Sequence, residues 1–180
     1  MPYHKFVWKM LSKAPCLFLF LLLPFASLAQ SGSELAKRNG FKDIVLGMPV
    51  DSVAGSKFKK DILEKNEFPA ALYEVDGPAY KNIGEVKVKR LELKAYKGLV
   101  YQIDVITHKD TRLMKGMERL YGKPKYILPT DTYNWTADSL SLTFKDHSKR
   151  EIKLTYRSYP ILKMMRVDKG KKIDDIADDF

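Results

Sequence analysis

The stretch Val86–Thr107, VKVKRLELKAYKGLVYQIDVIT, decides the fold, because it joins two strand-like runs through a turn signal. Apolar and polar side chains alternate along both runs, which is the two-residue period of a half-buried β-strand. The Lys97-Gly98 pair separates the runs, and glycine readily adopts the positive φ of a tight turn. The stretch therefore predicts a β-hairpin at the centre of an antiparallel sheet.

The length of the turn sets the register of this hairpin. A two-residue turn at Lys97-Gly98 would pair Leu93 with Gln102 and place a polar group on the apolar face. A three-residue turn that includes Tyr96 pairs Leu93 with Tyr101 and keeps that face apolar. We therefore predict the three-residue turn, which also places Leu91 opposite Ile103 and Ala95 opposite Leu99.

The alternation of the first run slips at Lys89-Arg90. Val86 and Val88 have even numbers, whereas the apolar series that begins at Leu91 has odd numbers, so in a regular strand the two sets would lie on opposite faces. A β-bulge, one extra residue in the strand, would bring Val88 back opposite Val105. The alternative is that the strand ends near Lys89, and the sequence leaves both interpretations open.

Residues 1–29 are predicted to be a signal peptide. They begin with a positive segment that contains Lys5, Lys9 and Lys13. An apolar run, Cys16–Phe25, follows, and the segment ends with the small-x-small cleavage motif Ser27-Leu28-Ala29. The apolar run is too short for a comfortable membrane span. We expect cleavage near Ala29-Gln30, which resembles the export signals of many Bacteroidetes, to leave a periplasmic or secreted chain without a transmembrane span. Retention as an uncleaved anchor is the alternative.

Charge and cysteine content describe the exported chain further. The whole sequence has a formal net charge of +10, of which three charges are the lysines of the predicted signal peptide, so the mature chain carries +7. The single cysteine, Cys16, also lies in that segment, so we expect a mature protein without disulfides. Basic residues spread over the chain favour contact with an envelope protein, anionic lipid or glycan, and we expect no nucleic-acid partner.

The first half of the mature chain gives weak signals. Residues 30–40 are predicted to be a flexible lead-in, and Phe41–Leu46 a short strand. Pro49 is typical of a helix start, so we expect a short helix that continues irregularly through Phe58, Ile62 and Leu63. Ala70–Val75 is predicted to be a strand that leads towards the central hairpin.

The second half gives clearer signals. A helix is predicted after Asp110 or Thr111, ended by Gly122 and Pro124, with one apolar stripe at helical spacing: Leu113, Met114, Met117, Leu120 and Tyr121. A second hairpin is predicted from alternation in residues 139–144 and 151–156, joined by a turn over Lys145–Arg150, with a short strand at Tyr133–Trp135 before it.

These elements predict a single α+β domain over residues 41–165, with a mostly antiparallel sheet and two helices packed on one face. The two halves share an α-β-β-β order that suggests an internal duplication. Residues 166–180 are predicted to be a charged tail that frays, although Ile173, Ile176, Ala177 and Phe180 share a helical face that could dock.

Three short motifs carry a resemblance to a known family. They are residues 46–53 (LGMPVDSV), 97–101 (KGLVY) and 120–124 (LYGKP). Together with the element order, they resemble the β-lactamase inhibitor protein fold and the related small outer-membrane assembly lipoproteins. The chain lacks the inhibitor's cysteines and the lipoproteins' lipobox. The resemblance implies a non-catalytic envelope domain that binds a partner through an open sheet face.

The mature sequence offers little chemistry. His147 stands between Asp146 and Ser148, but adjacent turn residues cannot orient one another as a catalytic triad, and His108 has no such neighbours. No metal-binding motif or phosphate loop is present, and the aspartates of the tail, Asp174, Asp175, Asp178 and Asp179, lack calcium-loop spacing. We therefore expect no enzyme activity, no metal and no cofactor, with a hydrolase as the less favoured alternative, which activity that titrates with His108 or His147 would support.

The predicted binding surface is the polar side of the sheet. If the helices cover the face that bears Leu93 and Ile103, the other face stays open to water, as antiparallel sheets allow. We expect this open face to recognise the partner, as an adaptor or inhibitor would. Its predicted residues are Glu92, Lys94, Val100, Gln102, Asp104, Ser141, Thr143, Lys153 and Thr155.

Overall fold

A nine-stranded antiparallel sheet is the framework of the protein in the computed structural model, which describes residues 34–177. The predicted signal peptide, residues 1–29, lies outside the described residues. The strands are β1 (Gly40–Phe41), β2 (Ile44–Val45), β3 (Ser56–Glu64), β4 (Phe68–Val75), β5 (Asn82–Ile83), β6 (Val86–Tyr96), β7 (Leu99–His108), β8 (Lys125–Ile127), β9 (Thr132–Thr136), β10 (Leu140–Ser148) and β11 (Glu151–Ser158). The helices are α1 (residues 34–38), α2 (Thr111–Tyr121) and α3 (Tyr159–Ala177).

The strand order shows how the two halves of the chain combine. The sheet runs β3-β4-β6-β7-β11-β10-β9-β8, with β5 beside β6, whereas β1 and β2 form a separate small hairpin. Each half supplies a helix and then a meander of four consecutive main strands, and the last strands of the halves, β7 and β11, are neighbours at the centre. The predicted α+β fold is confirmed, with one strand more in each half than the α-β-β-β order.

The main core lies on one side of this sheet. Leu35 of α1 and three residues of α2 pack there against apolar side chains of β6, β7, β10 and β11; the α2 residues are Leu113, Met117 and Tyr121. Two helices therefore cover one face, as predicted. The third helix, α3, packs on the opposite face, where Ile161 and Met165 contact Tyr96 and Tyr101.

Three predictions for the first half are wrong. Residues 34–38 of the predicted lead-in are helical and bury Leu35 completely, so the lead-in belongs to the core. The predicted strand Phe41–Leu46 is the β1–β2 hairpin, because Lys42 has a φ of 56° and turns the chain. The helix predicted from Pro49 is only the 3-10 turn Val50–Ser52, and Phe58, Ile62 and Leu63 belong to β3.

Gly55 explains why the chain leaves that turn as a strand. Its φ is +78°, and a Cβ at this position would lie 2.0 Å from the carbonyl oxygen of Asp76. The backbone N–H of Asp76 donates to the Gly55 carbonyl at 3.1 Å. Only glycine allows this close approach, which starts the pairing of β3 with β4.

The central hairpin has the turn that the sequence argument rejected. Tyr96 pairs with Leu99, so the turn is Lys97-Gly98, and both residues have positive φ, 50° and 78°, as in a type I′ turn. A β-bulge in β7 restores the apolar face: Lys94 pairs with Gln102, Ala95 pairs with Val100, and Tyr101 is the extra residue between them. Leu93 consequently pairs with Ile103 and Leu91 with Val105.

The bulge in β6 is confirmed. The register shifts between Val88 and Arg90, so Lys89 is the extra residue. Val88 lies opposite Thr107, however, and not opposite Val105 as predicted. The difference follows from the two-residue turn and the Tyr101 bulge, which move the whole pairing of β6 with β7.

The second half follows its predicted pattern closely. The Asp110 side chain caps α2 by accepting from the backbone N–H of Arg112 at 2.8 Å, and β9 contains the predicted strand Tyr133–Trp135. The predicted turn Lys145–Arg150 is shorter than expected, because the second hairpin pairs as far as Ser148 opposite Glu151. Residues 166–177 of the predicted fraying tail belong to α3, which crosses the predicted domain boundary at residue 165.

Two contacts explain the docking of α3. Asp168 accepts hydrogen bonds from the Tyr96 hydroxyl at 2.9 Å and the Lys97 ammonium at 2.6 Å, which ties the helix to the central turn. Farther along, Ile173 and Ile176 are 55% and 59% exposed, so their shared face does not dock among the described residues. Phe180 lies outside them.

Candidate functional site

The predicted site residues lie on the sheet face opposite the main core, in rows that cross the central strands. We call this surface the polar face. One row of paired residues is Glu92, Asp104, Thr155 and Thr143, and the next row is Lys94, Gln102, Arg157 and Ser141. Lys153 lies beside the first row, opposite Ile106.

Asp104 is the centre of the first row. Its carboxylate accepts hydrogen bonds from Thr155 Oγ1 at 2.7 Å and Gln102 Nε2 at 2.7 Å, and it forms an ion pair with Lys153 Nζ at 2.9 Å. The side chain of Asp104 is only 2% exposed, whereas that of Lys153 is 22% exposed. A buried charge requires such partners, so the carboxylate fixes the positions of the side chains around it.

Gln102 connects the two rows. Its amide nitrogen donates to Asp104, and its amide oxygen accepts from Arg157 Nε at 3.0 Å and Nη2 at 2.6 Å. The guanidinium therefore lies flat against the sheet with two of its donors engaged. The result is a continuous chain of polar contacts across β7 and β11.

A second cluster lies where β3 ends. Glu64 Oε2 accepts from Lys94 Nζ at 2.6 Å and from the Tyr101 hydroxyl at 2.9 Å. Burial raises the pKa of Glu64, but the hydrogen bonds from Lys94 and Tyr101 outweigh it, so the pKa is below its ordinary value. Burial and the Glu64 carboxylate raise the pKa of Tyr101. Glu64 is therefore an anion and Tyr101 a neutral donor at ordinary pH.

The remaining predicted residues surround these clusters. Glu92 pairs loosely with Arg90 at 3.5 Å and Lys59 at 3.7 Å. Thr143 donates to the side-chain oxygen of Asn134 at 3.2 Å, and Ser141 is half-buried beside it. Side chains from several strands thus form one surface, on which Asp104 is paired with Lys153 and Glu64 with Lys94.

The polar face departs from the prediction in two respects. Val100 is not part of it, because the Tyr101 bulge turns Val100 into the main core, where it is fully buried. The face is also only partly open: α3 covers the end that bears Tyr96 and Tyr101, and Gln102 and Asp104 are each only 2% exposed. The long side chains beside them exclude water from the centre.

Sequence reasoning missed three residues of this surface. Arg157 lies two residues after Thr155, on the same side of β11 as Thr155 and Lys153, so the alternation of the strand was sufficient to predict its position. Tyr101 could not, because the bulge that moves it to the polar face breaks the period. Glu64 directly follows the segment through Leu63 that was expected to be helical, so the sequence did not predict its place at the end of β3.

The two sequence neighbours of His147, Asp146 and Ser148, make side-chain contacts with other residues. Ser148 Oγ contacts Glu151 at 3.3 Å, and Asp146 accepts from Lys109. His108 and His147 are both exposed. Among residues 34–177, no group of three or more histidine, cysteine or acidic side chains is arranged to hold a metal ion, and no helix there is long and apolar enough to cross a membrane.

No protein family, curated protein or solved structure matches the chain. The polar face presents oriented hydrogen-bonding groups and paired charges that are held on strands. Such a surface can complement a partner without rearranging, which lowers the entropy lost on binding.

Proposed function

We propose that this protein is an exported, non-catalytic binding module, an adaptor or inhibitor, that recognises an envelope or extracellular protein through the polar face. The observation that supports this function is the Asp104 network. It holds Gln102, Lys153, Thr155 and, through Gln102, Arg157 in fixed positions on the sheet. Polar side chains fixed in this way give specificity, because a partner must match every donor and acceptor.

The position of these side chains also supports the proposal. Functional groups on strands are held more precisely than groups on loops. The side chains of Lys94 and Lys153 are each 22% exposed, so part of each side chain is accessible to a partner while its ammonium group stays paired with a carboxylate.

A pair swap tests the proposal without leaving a buried charge unpaired. In the variant Glu64→Lys/Lys94→Glu, the ion pair is kept but its polarity on the polar face is inverted. The matched control is Lys109→Asp/Asp146→Lys, which inverts an exposed pair away from this face. The control variant should keep its circular dichroism spectrum and thermal midpoint. The variant Glu64→Lys/Lys94→Glu also removes the carboxylate that accepts from the Tyr101 hydroxyl, so it should keep its circular dichroism spectrum but lose about 1 kcal/mol of stability.

Capture from the envelope fraction, quantified by mass spectrometry, provides the readout. We expect the wild type and the control swap to recover one protein in stoichiometric amount, and the Glu64/Lys94 swap to lose at least tenfold. Equal recovery by all three proteins would exclude the polar face as the recognition surface.

A second candidate function is a basic binder of anionic lipid or glycan. The edge strand β3 favours it, because its lysines are exposed and lie near Lys89 and Arg90 around one hollow; they include Lys57 and Lys59. Lysines on an edge strand also prevent pairing with other chains. Binding to anionic vesicles that falls steeply between about 50 and 200 mM salt would favour this function.

A further inference from the structure

A cleft lies on the main-core side of the sheet, far from the residues of the polar face. It opens between α2, the β1–β2 hairpin and residues 83–86. Its volume is about 780 Å³, within the range of about 300–1,000 Å³ typical of small-molecule sites. Its lining is largely apolar and includes Leu113, Met117, Leu120, Leu154, Tyr121 and Tyr156.

Gly116 of α2 lines this cleft and has no role in packing. A Cβ placed on it would meet no atom within 4 Å. A glycine inside a helix costs about 1 kcal/mol relative to alanine, and such a cost is usually offset by a close approach. By contrast, a Cβ on Gly40, at the edge of the same cleft, would lie 2.0 Å from the carbonyl oxygen of Ile44. The chain's own fold therefore explains Gly40, whereas Gly116 leaves its space to the cleft.

The lining of the cleft also has polar groups. Arg38, Tyr121 and Tyr156 all line it, and burial raises the pKa of both phenols. Arg38 Nε donates to Glu34 at 2.9 Å, and a guanidinium has further donors that match a carboxylate.

Three cations and one carboxylate line the cleft among the described residues: Arg38, Lys42 and Arg112, and Glu85. Arg38 also pairs with Glu34 at 2.9 Å, and Arg112 pairs with Glu85 at 2.7 Å and with Asp110 at 2.8 Å. Lys42 donates to the backbone carbonyl of Asn82 at 2.8 Å. Both arginines are therefore paired with carboxylates, whereas Lys42 contacts a backbone carbonyl.

We propose that this cleft binds a long-chain fatty acid, with its acyl chain beside Gly116 and its carboxylate at Arg38 and the Tyr121 and Tyr156 hydroxyls. An apolar floor of this size suits a single acyl chain, and the donors of Arg38 that Glu34 does not engage suit one anionic head group. The site goes beyond the protein recognition proposed above, because it lies on the other side of the sheet.

Displacement of a dansyl-labelled fatty acid by saturated acids of 8 to 16 carbons tests the proposal. Each added methylene should strengthen binding about fourfold until the cleft is filled. The alcohol of equal length should bind at least tenfold more weakly than the acid, and this difference should disappear in Arg38→Gln. Arg119→Gln, an exposed substitution on α2, is the control.

A second experiment fills the cleft with a bulky side chain and measures the affinity for the fatty acid. Gly116→Phe places a ring in the space beside α2 and should reduce affinity at least tenfold, whereas Gly170→Phe should have no effect. Gly170 is the matched control, since it is also helical and its Cβ would also meet no atom within 4 Å.

Two results would overturn the proposal. One is affinity that does not depend on chain length. The other is binding that Gly116→Phe and Arg38→Gln leave unchanged, which would indicate adsorption elsewhere. If Gly116→Phe does not fold, the comparison of acid with alcohol in Arg38→Gln still decides. None of these outcomes involves the polar face, so the site can fail while the proposed function stands.

Discussion

Removal of the Asp104 carboxylate should destabilise the protein strongly, because that group organises the polar face. Asp104→Ala removes acceptors from Thr155 and Gln102, each worth about 1.5 kcal/mol when the acceptor is charged. The bond to Lys153 adds less than about 1 kcal/mol, because that side chain is 22% exposed. We expect the free energy of unfolding to fall by about 3 kcal/mol.

Urea denaturation followed by circular dichroism measures this effect. With a slope of about 2 kcal/mol/M for a domain of this size, the midpoint should fall by about 1.5 M. Thr155→Val removes only one donor and should cost about 1 kcal/mol, since the carboxylate keeps its other partners. In the double variant Asp104→Ala/Lys153→Ala, the two effects should not add, because the residues share one contact. A loss below about 1 kcal/mol for Asp104→Ala would refute the reasoning and mean that water replaces the network.

Three other predictions test the fold. Leu35→Ala should cost about 2–5 kcal/mol in a denaturation experiment, because Leu35 is fully buried; a loss below about 1 kcal/mol would mean that α1 is not part of the core. Gly98→Ala should cost about 1–2 kcal/mol, because a side chain is strained at its φ of +78° although its Cβ would meet no atom; an unchanged midpoint would contradict the type I′ turn. Hydrogen bonds from Lys97 and Tyr96 hold the pKa of Asp168 below its ordinary 3.8. The docking of α3 is therefore stabilised above pH 3.8 and should weaken as the pH falls through the lower folded value, which hydrogen exchange would detect; Asp168→Asn should abolish that pH dependence.

The alternation of apolar and polar residues and the capping signal at Asp110 predicted most of the structure in the second half of the chain. The strands of the second hairpin, helix α2 and the cap at Asp110 each depend on residues close together in the sequence, so local pattern was sufficient. The same local evidence gave the two strands of the central hairpin and left the bulge at Lys89-Arg90 as one of two interpretations, of which the structure has the bulge.

The first half depended on contacts that local pattern does not contain. The approach of Gly55 to Asp76 turns an expected helix into β3. The buried Leu35 reaches the core from a segment whose other residues are charged, polar or small. The two-residue turn alone would place polar residues on the apolar face of the hairpin, and the bulge at Tyr101 restores the apolar pairing. Neither the turn nor the bulge alone agrees with the pattern of apolar residues. Such paired irregularities are visible only when both strands are placed together.

The candidate site shows the same division. Parity predicted which residues share the polar face, and eight of the nine predicted residues lie there. It did not predict that Gln102 and Asp104 are covered, because their burial results from the long side chains and the helix beside them. The ion pairs between strands likewise depend on the register of β6 against β7, which was predicted incorrectly.

Site-specific photo-crosslinking in the native cell tests the central claim most directly. A photoreactive residue would replace Thr143, on the polar face, and separately Arg119, an exposed position on α2. The account predicts one crosslinked protein of defined mass from position 143 and none from position 119. Crosslinks of equal yield and identity from both positions, or from position 119 alone, would contradict recognition through the polar face.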